Sequence, residues 1–326
     1  MSAFTELVFA SKRRLAMPVA VYPGTTLCGK SVVQMVNDPA AQVEVSLALR
    51  DHLGMAFTLS AMDLSTEAEA FGAQVRIMDG EVPTVIGRLV TDAAGVDALT
   101  VPKVGMARTH VYVETARRLA AGPGDPFVVG GCIGPFTLAG RLFGVSESLE
   151  FSVAEPEAME RLITKATDFL IGYVRAFKQA GCKALFMAEP TAGLLSPKML
   201  GRLSSPFVKR IVEAVEGEGF GIILHNCGAK LVHLPQILQS GASAFHFGAP
   251  MDLAAAARQV PATSVVLGNL DPSAVFLGGT PEVVAERTRA LCQAVSGLPN
   301  VVLSSGCDVP PSTPVANLKA FIQAVS

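Results

Sequence analysis

The sequence has no long run of basic residues, and 26 lysines and arginines against 28 aspartates and glutamates leave a net charge of -2. A nucleic-acid binder neutralises phosphates with a basic surface, so nucleic acid is excluded as a main partner. No apolar stretch approaches the roughly 18–20 residues that span a bilayer, and no membrane partner is expected. The opening MSAFTELVFASKRRLAMP puts short apolar pieces around a basic cluster, which is not the order of a secretory signal. A cytoplasmic protein is expected, whose six cysteines are reduced thiols suited to metal rather than disulfides. No linker rich in Gly, Ser or Pro divides the chain, and residues 1–326 are expected to form one domain. The glycine-rich stretches GGCIG (130–134) and LGGT (277–280) do not match a dinucleotide or phosphate-loop fingerprint.

What is present is a large apolar fraction, 50% of residues, enough for a sizeable core. Eight short β-rich runs punctuate the chain, at 15–23, 56–63, 126–132, 183–189, 220–227, 243–248, 264–269 and 300–306. Most are nearly continuous apolar runs, as parallel strands covered on both faces are. Helical patterns at 39–53, 108–121, 155–180, 197–216, 230–240, 251–259, 281–296 and 313–325 alternate with them. Residues 75–90 read instead as a hairpin around Asp79-Gly80. Strands alternating with helices predict a parallel sheet, and eight of them predict a (β/α)8 TIM barrel, with an open doubly wound sheet as the alternative.

The chemistry-bearing residues sit at the ends of these runs. His225 and Cys227 lie in HNCG after FGIIL, and Cys307 lies eighty residues further on in SSGCD after NVVL. In an extended strand, residues i and i+2 share a face, so His225 and Cys227 can grip one ion together. Imidazole and two thiolates are a zinc-site composition, and three protein ligands leave a fourth position open for chemistry. The opposing reading is unconnected packing residues, because free cysteine behaves as a small hydrophobe. Cys182 and Cys292 are read that way. The C-terminal face of a barrel is where barrel enzymes work, and the three ligands fall there. Candidates for the fourth ligand are His246, Glu189, water or substrate. Asp63 ends the second run as a buried acid or base, or as a helix cap. Glu189, before Pro190, binds substrate or metal, or organises a loop. His246 reads first as a core residue.

Five motifs carry a family resemblance over nearly the whole chain: SAMDLSTEAEAFG (60–72), GGCIGPFTLAG (130–140), AEPTAGLLSP (188–197), GNLDP (268–272) and SSGCDVPPSTPVANL (304–318). Their order resembles the uroporphyrinogen decarboxylase superfamily. The decarboxylases hold their substrate's carboxylates with an arginine-rich N-terminal segment. Here VAVYPGTTLCGKS occupies that region, with no arginine between Arg14 and Arg50. Asp63 matches the decarboxylases' essential aspartate, but Cys307 stands where they carry histidine.

The chain is more similar to the branch of methylcobamide:coenzyme M methyltransferases, which hold zinc with H-x-C and a remote cysteine. Carried over, the resemblance implies zinc on His225, Cys227 and Cys307 and methyl transfer between a methylcorrinoid and a thiol. Asp63 and Glu189 would then line the substrate pocket. The corrinoid is expected on a separate protein, since the chain lacks a D-x-H-x-x-G motif. Partners are therefore a corrinoid protein and a small thiol or methyl donor; a homodimer is compatible with the sequence. The loops after Tyr22, Asp63, Cys132 and Glu189 are rich in small residues and suit a flat macrocycle. Tyr22, Gly24 and Gly134 are the residues expected to meet it. A decarboxylase using Asp63 and a non-catalytic zinc-stabilised barrel are the alternatives.

Overall fold

The structure is a computed structural model that describes residues 1–217 and 219–325. Seven strands form one parallel sheet: β1 (Thr58–Leu59), β4 (Val128–Ile133), β5 (Ala184–Ala188), β6 (Gly221–Asn226), β7 (Ala244–Phe247), β8 (Val265–Leu270) and β9 (Val301–Ser305). They follow one another in that order, each parallel to the next. The intervening β2 (Val75–Arg76) and β3 (Thr84–Val85) pair antiparallel as the expected hairpin. Strands β4, β5, β7 and β9 are buried along their whole length, which is why their sequences run apolar without alternation.

The expected eighth strand is not a regular one. Residues 15–19 run beside β9, where Met17 N–H donates to Leu303 O at 2.8 Å and Leu303 N–H to Leu15 O at 3.0 Å. Only Ala16 counts as a bridge to β9. Among the described residues, no backbone pairing joins this segment to β1 on its other side. The sequence explains the gap. In a parallel strand alternate residues bond to opposite neighbours, so with Leu15 and Met17 turned to β9 it is Ala16 and Pro18 that turn towards β1, and Pro18 has no N–H to give. The chain then tightens at Pro23 into a 3-10 turn over Tyr22–Gly24. The architecture is thus a seven-stranded parallel α/β sheet of TIM-barrel type, with a bridging segment where an eighth strand was expected.

Helices Pro39–Leu53, Thr109–Ala120, Pro156–Gln179, Leu253–Gln259, Pro281–Ala294 and Val315–Val325 lie where periodicity put them. The pattern at 197–216 is two helices, Pro197–Leu203 and Ser205–Val215, because Pro206 cannot continue the first. Helix Pro135–Phe143 escaped the pattern altogether. Every residue in it except Arg141 is buried, so it has no polar face to mark it.

Candidate metal centre

His225 ends β6 in register with Ala188 on one side and His246 on the other. Cys227 follows two residues later and Cys307 lies just past the end of β9. One ligand atom from each of the three comes within 4.8 Å of the others. Strands β7 and β8 separate β6 from β9, so the three side chains converge over the ends of intervening strands. Glycine makes the convergence feasible. A Cβ on Gly248, at the end of β7, would sit 2.1 Å from Cys227 O, and one on Gly306 would sit 2.9 Å from Ala249 N. An acidic side chain at 248 therefore has no room without displacing Cys227.

His225 is 2% exposed and stacks on Phe186, with ring centroids 5.1 Å apart at 28°. Its Nδ1 lies 2.8 Å from Nδ1 of the fully buried His246. His246 Nε2 lies 2.8 Å from Ser304 Oγ, which donates to Met17 O at 2.6 Å. Burial, followed by the neighbouring His225, holds His246 well below the usual imidazole value, so it stays neutral. With both its nitrogens engaged, His246 has none left to ligate an ion. His225 Nε2 is left buried with no hydrogen-bond partner. A buried orphan nitrogen beside two soft sulfurs is what a zinc site requires of its protein side. Cys227 and Cys307 are only half buried, so the centre opens to solvent on the sulfur side. A hydrogen bond from Cys307 draws the Cys227 thiol down to about 4, against burial and with help from the His225 ring. The same contact, with burial, pushes Cys307 up.

Asp63 and Glu189 are elsewhere engaged. Asp63 Oδ1 accepts from Ser65 N–H and Thr66 N–H at 2.9 Å and from Ser65 O–H at 2.5 Å. Its Oδ2 accepts from Arg108 Nη1 at 2.6 Å and from the Tyr112 hydroxyl. Burial would raise its pKa, but the Arg108 charge and these bonds outweigh that, and the net shift is downward. Arg108 also bonds Glu69 at 2.7 Å and Ser65. Arg108 carries no local mark beyond its place in a helix-start region, GMARTH, and was missed for that reason. Glu189 accepts from Phe136 N–H, Thr137 N–H, Thr137 O–H and Ser204 O–H at 2.6–3.1 Å. The four donors tie the end of β5 to the first turn of helix Pro135–Phe143 and to the break between helices Pro197–Leu203 and Ser205–Val215, so Glu189 has no free oxygen for an ion.

Tyr22 is 1% exposed and donates to Met62 O at 3.1 Å. With Ser60 and Asp308 it borders a cavity of about 20 Å³, room for one water and not for a ligand. Gly24 and Gly134 are buried where elements touch. A Cβ on Gly24 would lie 2.8 Å from Val45 O, and one on Gly134 would lie 2.2 Å from Glu189 Cγ. Close packing accounts for glycine at both positions. All three residues stand behind the surface rather than on it.

A parallel α/β sheet of barrel type with a His-Cys-Cys cluster over its strand ends defines a candidate metalloenzyme. The uroporphyrinogen decarboxylase family profile matches residues 14–326, and the chain belongs to that family. It is similar to a methylcobamide:CoM methyltransferase of Methanosarcina acetivorans, 28% identical over 265 residues that cover 80% of this chain and 76% of the relative. It is also similar to a methylated-thiol–coenzyme M methyltransferase of Methanosarcina mazei, 28% identical over 312 residues that cover 91% and 80%. Several bacterial uroporphyrinogen decarboxylases match at 27–29% identity. A solved methyltransferase structure from Methanosarcina mazei superposes with a TM-score of 0.89 over 99% of this chain and 96% of that one, at 20% identity, and so shares the fold.

Proposed function

We propose that this protein is a corrinoid-dependent methyltransferase with zinc held by His225, Cys227 and Cys307. The observation that carries the reading is the cluster itself: three soft ligand atoms within 4.8 Å, one a buried imidazole nitrogen without a partner. The relatives named as methyltransferases support the reaction class. The reaction transfers a methyl group from the Co(III) of a methylcorrinoid to a thiol sulfur, giving a thioether and Co(I), or runs in reverse. Zinc, when bound, supplies the acidity that turns a substrate thiol into a nucleophilic thiolate at neutral pH.

The chain's own residues do the rest. His225, clamped by Phe186 and His246, fixes the buried corner of the centre. Cys227 and Cys307 form its open edge, where the fourth position is left to substrate or water. Asp63 and Glu189 organise the loops around the mouth and carry no proton to substrate, because their oxygens are already committed. The barrel interior is too full for a macrocycle, so the corrinoid approaches over the strand ends. Exposed Leu194 and Val232, in the segments that follow β5 and β6, offer it apolar contact. Tyr22, Gly24 and Gly134 serve that face by holding its loops from behind. Among the described residues no helix is long and apolar enough to cross a membrane.

Elemental analysis of protein purified without added metal tests the centre. One zinc per chain is expected, with Cys307→Ala losing both zinc and activity. Full activity in metal-free protein would overturn the proposal. X-ray absorption separates catalysis from scaffolding: thiol substrate adds a sulfur neighbour to zinc if the centre is catalytic and leaves the spectrum unchanged if it only stabilises the fold.

A further inference from the structure

We infer that Ser304 and His246 are positioning residues that fix the tautomer of His225, leaving its Nε2 as the bare nitrogen that joins the two sulfurs. The inference rests on the proposed metal centre for its purpose, but its geometry stands alone.

One group in this chain of contacts can only accept a hydrogen bond. Met17 O is a carbonyl, so the Ser304 hydroxyl must give it its single proton, across 2.6 Å. Met17 is itself pinned, because its N–H donates to Leu303 O at 2.8 Å. Ser304 Oγ can then only accept from His246 Nε2, 2.8 Å away, so the N–H of His246 is on Nε2. His246 is fully buried, and its ring partners are His225 and Ser304 with no carboxylate among them, so burial keeps the imidazole neutral with a single N–H and Nδ1 is a bare lone pair. It faces His225 Nδ1 at 2.8 Å, and two bare nitrogens would repel. His225 must carry its proton on Nδ1. Its other nitrogen, buried and without a hydrogen-bond partner, is left bare.

Three features suggest a built relay rather than an accident of packing. His225 and His246 are register partners on adjacent strands, so the sheet sets their spacing. Phe186 holds both rings, stacked on His225 and edge-on to His246 with a centroid distance of 5.0 Å. The irregular first segment also contributes. Val19 N–H goes to the Ser305 side chain at 2.9 Å, and Met17 O takes the Ser304 side chain in place of a backbone partner. The loss of a regular eighth strand thus frees the carbonyl on which the relay ends. Metal-ligating histidines commonly have the second ring nitrogen held in this way, and losing the holder costs about 10–100-fold in metal affinity.

The test uses the full chain with ¹⁵N-labelled histidine. In metal-free wild type, long-range proton–nitrogen correlation should show His225 protonated at Nδ1 and bare at Nε2; on zinc addition Nε2 should shift and Nδ1 should keep its proton. Ser304→Ala should lower zinc affinity by about 10–100-fold in chelator competition and blur the His225 tautomer, and Ser304→Thr, which keeps the hydroxyl, should restore both. A purely structural role for Ser304 would instead lower the melting temperature and leave the tautomer and zinc affinity alone. His225 protonated at Nε2 in the wild type, or unchanged zinc affinity in Ser304→Ala, overturns the inference. Failure of the metal reading looks different: the stated tautomer is seen but wild type takes up no zinc.

Discussion

At Asp63 both carboxylate oxygens are fully committed, three donors on one and two on the other, and its main partner Arg108 is almost as buried. Asp63→Asn leaves the buried Arg108 with only the partly exposed Glu69 as counter-charge, and breaking a buried pair in this way costs up to about 3–5 kcal/mol. Urea denaturation at neutral pH should show that loss. The folded pKa of Asp63 lies below the ordinary 3.8, so the stability it contributes is complete above pH 3.8. It is lost as pH falls through the lower folded value, and Asp63→Asn should flatten that acid limb. Glu67 behaves oppositely. It is 1% exposed, takes Ile133 N–H on Oε1 at 2.9 Å and leaves Oε2 unpartnered. Burial raises its pKa from 4.5 to about 8. Between those values the folded chain keeps a proton that the unfolded chain has released, so stability falls as pH rises across the window. Glu67→Gln should remove the slope and make the variant more stable than wild type at pH 8. A steeper slope in the variant would contradict the assignment.

The elements of the centre were legible where strand chemistry is local. The i, i+2 spacing of His225 and Cys227 reads as one strand end; His225 does lie in β6, while Cys227 falls in the turn just past it and still converges with Cys307. The junctions between elements were not legible. Gly24 and Gly134 read as open loop residues suited to a macrocycle, yet each is glycine because another element lies against it. The contact partner of Gly134 is Glu189, 55 positions away, and no local pattern announces such a pair. Gly134→Ala should drive Glu189 off the Phe136 and Thr137 amides and cost about 1–3 kcal/mol, the range for overpacking. A melting curve matching wild type would show that the Glu189 network tolerates displacement. Arg108, Ser304 and His246 were hidden for the same reason. Their roles depend on partners from distant strands and helices, and each reads locally as an ordinary charged, polar or core residue.

Across the whole molecule, alternation of apolar runs and amphipathic helices was enough to give the parallel α/β class and most of the strand order. It overcounted by one strand, because an apolar run around Pro18 looks like a strand in composition while lacking a donor for one neighbour. The family, too, was legible from five motifs spread over the chain, and the match over residues 14–326 agrees. Family membership alone does not choose between decarboxylation and methyl transfer, since relatives of both kinds match at similar identity. The proposed reading rests on the site: Asp63, the acid that decarboxylation would use, is saturated with donors, and the His-Cys-Cys cluster carries an unpartnered nitrogen. The most direct test is to incubate zinc-loaded protein with methylcobalamin and a panel of thiols while following the cobalamin spectrum. Loss of the methyl-Co(III) spectrum with at least one thiol is expected, together with a thioether product, and both should vanish in Cys307→Ala. Demethylation that persists in Cys307→Ala, or no demethylation with any thiol alongside carbon dioxide release from an acid substrate, would contradict the account.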